Sequence, residues 1–204
     1  MCRPSQFRRN TAAEAEQLSV VQQFMRHVIT KLSKDNIDRV AVVLQKFPWE
    51  QEHEFLLNEF TTLIVSQAKF NDMDLIAVLL KSMKEHSQTR YFVTDVIDAI
   101  FEEIYRQMER NDFKESQRRV AVVKFVAEAY NYKVLHTDTI VDFLYRLINY
   151  DIDERCTDQY LASLDVNPID SFRIRLVCTV LDSLSQYFWK GERRIAMDRY
   201  LIFL

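Results

Sequence analysis

The 204-residue chain contains a single glycine, Gly191, and three prolines, and that scarcity removes most folds before any pattern is read. Phosphate-cradling loops, dinucleotide-binding turns and tight β-hairpins all need backbone at positive φ, which glycine adopts without steric cost. A nucleotide-binding α/β enzyme is therefore all but excluded. A chain so poor in turn residues is suited to run helix after helix.

Charge and hydrophobicity narrow the class further. With 27 Lys and Arg against 30 Asp and Glu, the formal net charge is −3, so no global field points to a nucleic acid or a membrane surface. A hydrophobic content of 48% with 12% aromatic residues supplies a globular core. No stretch longer than about nine residues lacks a charge, whereas a membrane-spanning helix needs about 20 apolar residues. The basic start MCRPSQFRRN runs into an acidic polar segment where a signal peptide requires an apolar stretch. Cys2, Cys156 and Cys178 form an odd set without CxxC spacing, as expected for reduced thiols. The expected location is the cytoplasm, perinuclear and with some access to the nucleus.

Apolar residues recur at helical spacing along nearly the whole chain, and its breaks carry helix punctuation. A first helix is predicted from Ala12 to Leu32, with Val20, Val21, Phe24, Val28, Ile29 and Leu32 on its core face. Ser33 to Asp35 break it and cap a second helix that ends near Phe47. Pro48 opens a third, carrying Phe55, Leu56, Phe60, Leu63 and Ile64 to about Lys69. Asn71 and Asp72 open a fourth that ends near His86. Further helices are expected at Thr89–Arg110, Asp112–Tyr132, Thr137–Tyr150 and Pro168–Trp189, with a last one after Gly191. Helix pairs recurring every 38 to 50 residues or so match HEAT or armadillo spacing. The expected fold class is all-α, a right-handed α-solenoid of about five HEAT-like antiparallel helix pairs, the last pair truncated. Residues 1–11 are expected to be a flexible basic segment and residues 12–204 one domain. Because RRIAMDRYLIFL ends within an apolar run without a C-cap, that domain is expected to be cut from a longer protein.

Chemistry-bearing motifs are sparse. His27, His53, His86 and His136 are scattered, and none is four residues from another ligand type in the pattern a metal site needs. Asp151, Asp153 and Glu154 lack the glycine and the bidentate Glu of a calcium loop. No catalytic residue, cofactor or metal is expected.

The most informative helix is TRYFVTDVIDAIFEEIYRQMERND. At 100° per residue, Val93, Ile97, Ile100, Ile104 and Met108 share a core face, while Asp95, Asp98, Glu102 and Glu109 gather within about 60° on the far side, bordered by Tyr105. Four aligned carboxylates repel one another, at a small cost that a cationic partner would remove. Such a stripe is either a solvated helix back or a partner contact, with Tyr91 or Phe92 as further apolar contributors. Arg118, Arg119 and Lys124 on the next helix, and Arg173 and Arg175 further on, are open to two readings: weak RNA contact, or pairing within the fold with their stems snorkelling over apolar neighbours.

The run ESQRRVAVVKFVAEAYNY (Glu115 to Tyr132) resembles the QRR signature of the middle domain of eukaryotic initiation factor four-gamma, a HEAT-like scaffold module. KFPW at Lys46 to Trp49 and SLDVNPIDSFRIRLVCTVLDSLSQYF at Ser163 to Phe188 are similar to the third such domain in the up-frameshift two family of nonsense-mediated decay scaffolds. The resemblance covers about residues 20 to 204. It implies a non-enzymatic, monomeric adaptor that docks the RNA-recognition-type domain of the up-frameshift three protein, with other decay factors and the exon-junction complex reached indirectly. It also implies that acidic side chains do the docking, and Asp98, Glu102 and Glu109 match the family's acidic helix. The alternative within the resemblance is a translation or cap-complex scaffold that holds a DEAD-box helicase or RNA.

Overall fold

The computed structural model describes residues 18–47, 49–110, 112–150, 168–184 and 192–203. Among them are nine α-helices and no strand: α1 Val20–Thr30, α2 Ile37–Gln45, α3 Trp49–Thr62, α4 Met73–Lys84, α5 Arg90–Arg110, α6 Ser116–Asn131, α7 Thr137–Ile148, α8 Pro168–Ser183 and α9 Glu192–Phe203. The expected N-terminal segment, the Asp151, Asp153 and Glu154 cluster, Cys2, Cys156 and Gly191 lie outside the described residues. No described helix is long and apolar enough to cross a membrane.

Helices separated by one in sequence stack on each other. In one layer α2 packs on α4, α4 on α6 and α6 on α8; in the other α1 packs on α3, α3 on α5, and α7 on α9. The layers join where α4 meets α5, α5 meets α6 and α7 meets α8. Short connections make sequential helices neighbours, and each hairpin covers its apolar face only by stacking on the next. One continuous core results, running from Met25 through Phe60, Phe92, Phe125 and Phe143 to Tyr200.

Local chemistry sets several boundaries. Ser19 accepts from the Gln22 backbone N–H at 3.1 Å, and the Gln22 side chain returns a bond to Ser19 N–H at 3.2 Å, a capping box that starts α1 at Val20. Of the helix predicted from Ala12 to Leu32 the described part runs from Val20 to Thr30, and residues 12–17 lie outside the described residues. Its core face also differs: Met25 and Ile29 are buried, whereas Val20 is 82% and Phe24 53% exposed. Periodicity alone cannot rank neighbouring stripes, and among the described helices α1 packs chiefly on α3. It is tied to α3 by Arg26, whose guanidinium donates to both Glu59 carboxylate oxygens at 2.6 and 3.0 Å.

The third predicted helix does not continue as α-helix to Lys69. Thr62 passes into a π-helical turn, Leu63–Gln67, closed by Ala68 N–H donating to Leu63 O at 2.8 Å. The helix expected to reach Trp189 ends at Ser183. At the end of α6, Lys133 takes φ 62°, and Val134 N–H donates back to Ala129 O at 2.8 Å. This is the left-handed C-terminal cap that glycine usually fills.

Candidate functional site

Helix α5 runs through the middle of its layer, and its inner face explains its position. Phe92, Val93, Val96, Ile97, Ile100 and Ile104 are buried. Phe92 packs at 4.6 Å against Trp49 and 5.5 Å against Phe60, ring centre to ring centre. Phe92 is therefore a core residue and gives no apolar surface beside the acidic stripe. Trp49 is itself held by its indole N–H donating to Leu44 O at 2.8 Å. Met108, expected in the core, is only half-buried. The helix face opposite this core carries the carboxylates.

Asp98, Glu102 and Glu109 are exposed, and none makes an ion pair with a described residue. Asp95 differs: its carboxylate meets His53 Nε2 at 2.9 Å, linking α5 to α3. Tyr91, on the same outer face, is 78% exposed. Tyr105 is half-buried at the edge of the stripe, its ring stacked parallel to Tyr150 at 6.2 Å. Burial pushes the Tyr105 phenol above its ordinary range, an effect that nearby Arg146 opposes. The stripe and Tyr105 are thus brought together on one ridge, with Asp95 engaged and the other three carboxylates open to solvent.

A cleft flanks the ridge on each side. Toward α7 lies one of about 410 Å³, bounded by Asp98, Phe101, Glu102, Tyr105, Asp142 and Arg146. Asp142 pairs with Arg146 at 2.8 Å within α7. Sequence reasoning missed Asp142, because a spacing rule within one helix is silent about a carboxylate that a neighbouring helix delivers. Toward α3 lies a second cleft of about 260 Å³. Glu102 borders both.

The candidate basic residues divide by position. Arg119 is buried, its guanidinium 4.4 Å over the Phe172 ring and donating to Asp112 O at 2.7 Å. Burial lowers its pKa from the ordinary guanidinium value. Lys124 sits 4.2 Å over Phe70 and donates to that residue's carbonyl at 3.0 Å. Arg173 donates to Tyr150 O. Arg118 and Arg175 are exposed, and Arg118 borders the α3–α5 cleft. Among the described residues no three potential ligands assemble into a metal site.

Comparison with known proteins gives a consistent family. The family model described as the MIF4G domain matches residues 22–204. The chain is 31% identical over 183 residues to "Regulator of nonsense transcripts UPF2" of Arabidopsis thaliana, covering 89% of this chain and 15% of that protein. It is 30% identical over 184 residues to human "Regulator of nonsense transcripts 2", covering 90% and 14%. It is 27% identical over 186 residues to "Nonsense-mediated mRNA decay protein 2" of Schizosaccharomyces pombe, covering 90% and 17%. The chain thus spans 14% to 17% of the length of these relatives.

Proposed function

The chain belongs to the MIF4G domain family, and on that premise we propose that it is a non-enzymatic scaffold domain of nonsense-mediated mRNA decay. In this reading it docks the RNA-recognition-type domain of the up-frameshift three protein through the outer face of α5, as the third domain of its kind in a longer scaffold. The relatives' names support the pathway. The observation that carries the surface is the exposure of Asp98, Glu102 and Glu109 opposite the buried face of α5, with no ion pair to a described residue. Like charges held in line on a rigid helix repel, and a basic partner surface turns that cost into attraction, encounter rate and register. Tyr105, half-buried beside the α7 cleft, supplies an amphipathic contact of the kind that centres an interface. The frame is read as a right-handed stack of about five helix pairs, monomeric and cytoplasmic.

The test is calorimetric titration of the chain with the RNA-recognition-type domain of the up-frameshift three protein from the same organism. Tight binding is expected, and Glu102→Arg combined with Glu109→Arg weakens it at least tenfold, about 1.4 kcal/mol. Circular dichroism first establishes that the variant folds. Equal binding by both proteins moves the interface elsewhere. No binding by wild type favours the translation or cap-complex scaffold that holds a DEAD-box helicase, and helicase stimulation then becomes the assay.

A further inference from the structure

Serine is followed by glutamine five times in this chain, at Ser5, Ser66, Ser87, Ser116 and Ser185. With eleven serines and twelve glutamines among 204 residues, chance placement gives fewer than one such pair. Ser5 and Ser185 lie outside the described residues. The other three pairs occupy a π-helical turn, a loop and a helix start, so no shared packing role accounts for the repetition, and it reads as a recognition mark. The fold separates these three. Ser116 opens α6, where its hydroxyl accepts from Arg119 at 3.5 Å. Ser66 is exposed but wound into the π-helical turn. Ser87 and Gln88 are both exposed in the loop between α4 and α5, outside any helix. An enzyme that draws an acceptor into its own cleft reaches a loop tip more readily than a helical turn.

The surroundings of Ser87 suit a phosphate. The chain is pinned on either side of it: Thr89, 1% exposed, donates its hydroxyl to Met83 O, and the Arg90 N–H donates to His86 O at 3.1 Å. Neighbouring chain reversals are tied alongside, the Gln45 side chain to His86 Nε2 and Lys84 Nζ to Val134 O at 2.8 Å. Along this row Lys46, Lys81, Arg90 and Lys133 are exposed, and none makes an ion pair with a described residue. Glu85 opposes them within the Ser87 loop. Helix α5 begins with Arg90 and has no acid in its first turn, although the N–H groups at a helix start favour an anion. A phosphate three residues ahead of Arg90 supplies that negative charge and meets a guanidinium. We propose that Ser87 is a phosphorylation site, modified by a protein kinase that reads the glutamine after its acceptor. The kinase moves the γ-phosphoryl group of ATP to Ser87 Oγ: the bond from phosphorus to the ADP oxygen breaks, the bond to Oγ forms, and the hydroxyl proton passes to the kinase's base. The phosphate then carries about −1.5 to −2 charges at neutral pH and ties the loop to Arg90 at the start of α5.

The test incubates the 204-residue chain with magnesium ATP and a cell extract of its own organism, then counts phosphate on each serine by peptide mass spectrometry. Ser87 is expected to be modified at least about tenfold more than Ser66 or Ser116. Gln88→Ala lowers modification of Ser87 at least about tenfold. A chain with phosphoserine installed at position 87 then reports the phosphate's seat by phosphorus NMR. Its second pKa is expected to lie below the ordinary value of about 6, and to rise by about half a unit or more when Arg90→Ala removes the guanidinium. Gln88 and Arg90 are exposed, so both variants keep the fold, which circular dichroism checks. No phosphate on Ser87, equal modification of the three serines, or indifference to Gln88→Ala overturns the site. A phosphate pKa that Arg90→Ala leaves unchanged overturns the seat at α5. None of these outcomes depends on the acidic face, which the up-frameshift three titration reads separately.

Discussion

Helices α5 and α6 are neighbours that use their charges in opposite ways. On α5 the carboxylates of Asp98, Glu102 and Glu109 face solvent. On α6 two of the three cations turn inward: Arg119 lies over Phe172 and Lys124 over Phe70, while Arg118 stays exposed. The cause is their place in the stack. Helix α6 is clasped between α4 and α8, with contacts to α5 and α7 as well, so even its charged side chains must find aromatic faces and carbonyls. Helix α5 lies in the other layer, and no described residue covers the side chains of Asp98, Glu102 and Glu109. Charge on a clasped helix becomes structure, and charge on an open face stays in solvent.

The largest effect expected from disturbing this contrast is at the buried face of α5. Phe92→Ala leaves a cavity among Trp49, His53 and Phe60 and is expected to cost about 3–5 kcal/mol in urea denaturation. Next comes the inward cation of α6. Arg119→Ala removes the contact with Phe172 and the donor to Asp112 O and should cost about 2 kcal/mol. Arg119→Lys should recover little of this, because a point charge does not reproduce a stacked planar fork. Its exposed neighbour gives the control: Arg118→Ala is expected to change stability by no more than about 0.5 kcal/mol. A loss of stability at Arg118 as large as at Arg119 would break the comparison.

The outer face of α5 predicts smaller changes of the opposite sign. Converting Asp98, Glu102 and Glu109 together to their amides relieves like-charge repulsion and should stabilise the chain by a few tenths of a kcal/mol at low salt, an effect that fades as salt is added. Destabilisation by this triple variant would mean that the carboxylates are holding the fold together. The smallest effect concerns alkaline pH. Burial raises the phenol pKa of Tyr105 on α5, of Tyr132 at the end of α6 and of Tyr200 on α9 above 10.0. The folded chain then holds these protons more tightly than the unfolded one. Their contribution is complete below pH 10 and is lost as pH rises through the folded-state values. Denaturation at increasing alkaline pH should show stability falling, with a shallower fall in Tyr200→Phe. That variant also loses the bond to Leu144 O at 3.1 Å, about 1 kcal/mol at neutral pH.

The helical class was legible in the sequence because glycine and proline are nearly absent and apolar residues return at 3.6-residue spacing. The acidic stripe was legible for the same reason: within one straight helix, spacing is angle, and Asp98, Glu102 and Glu109 emerged opposite the core as the arithmetic required. Spacing failed where a second element decided the outcome. Phe92 looked available beside the stripe until Trp49 and Phe60 closed over it. Val20 and Phe24 looked like core until Met25 and Ile29 proved to be the buried side of α1. Lys133 occupies a left-handed cap position that residue type did not announce.

The chain's composition and periodicity therefore determined that it would be a helical stack and which carboxylates would share a face, since both follow from backbone geometry and local burial preference. Only the tertiary structure decided that Asp142 would join Asp98 and Glu102 around one cleft, that Arg119 would be buried and Arg118 left outside, and that the Gln107 carbonyl oxygen would be buried with no donor among the described residues. Each of these depends on which helix lies alongside, and that is settled by packing among residues far apart in the chain.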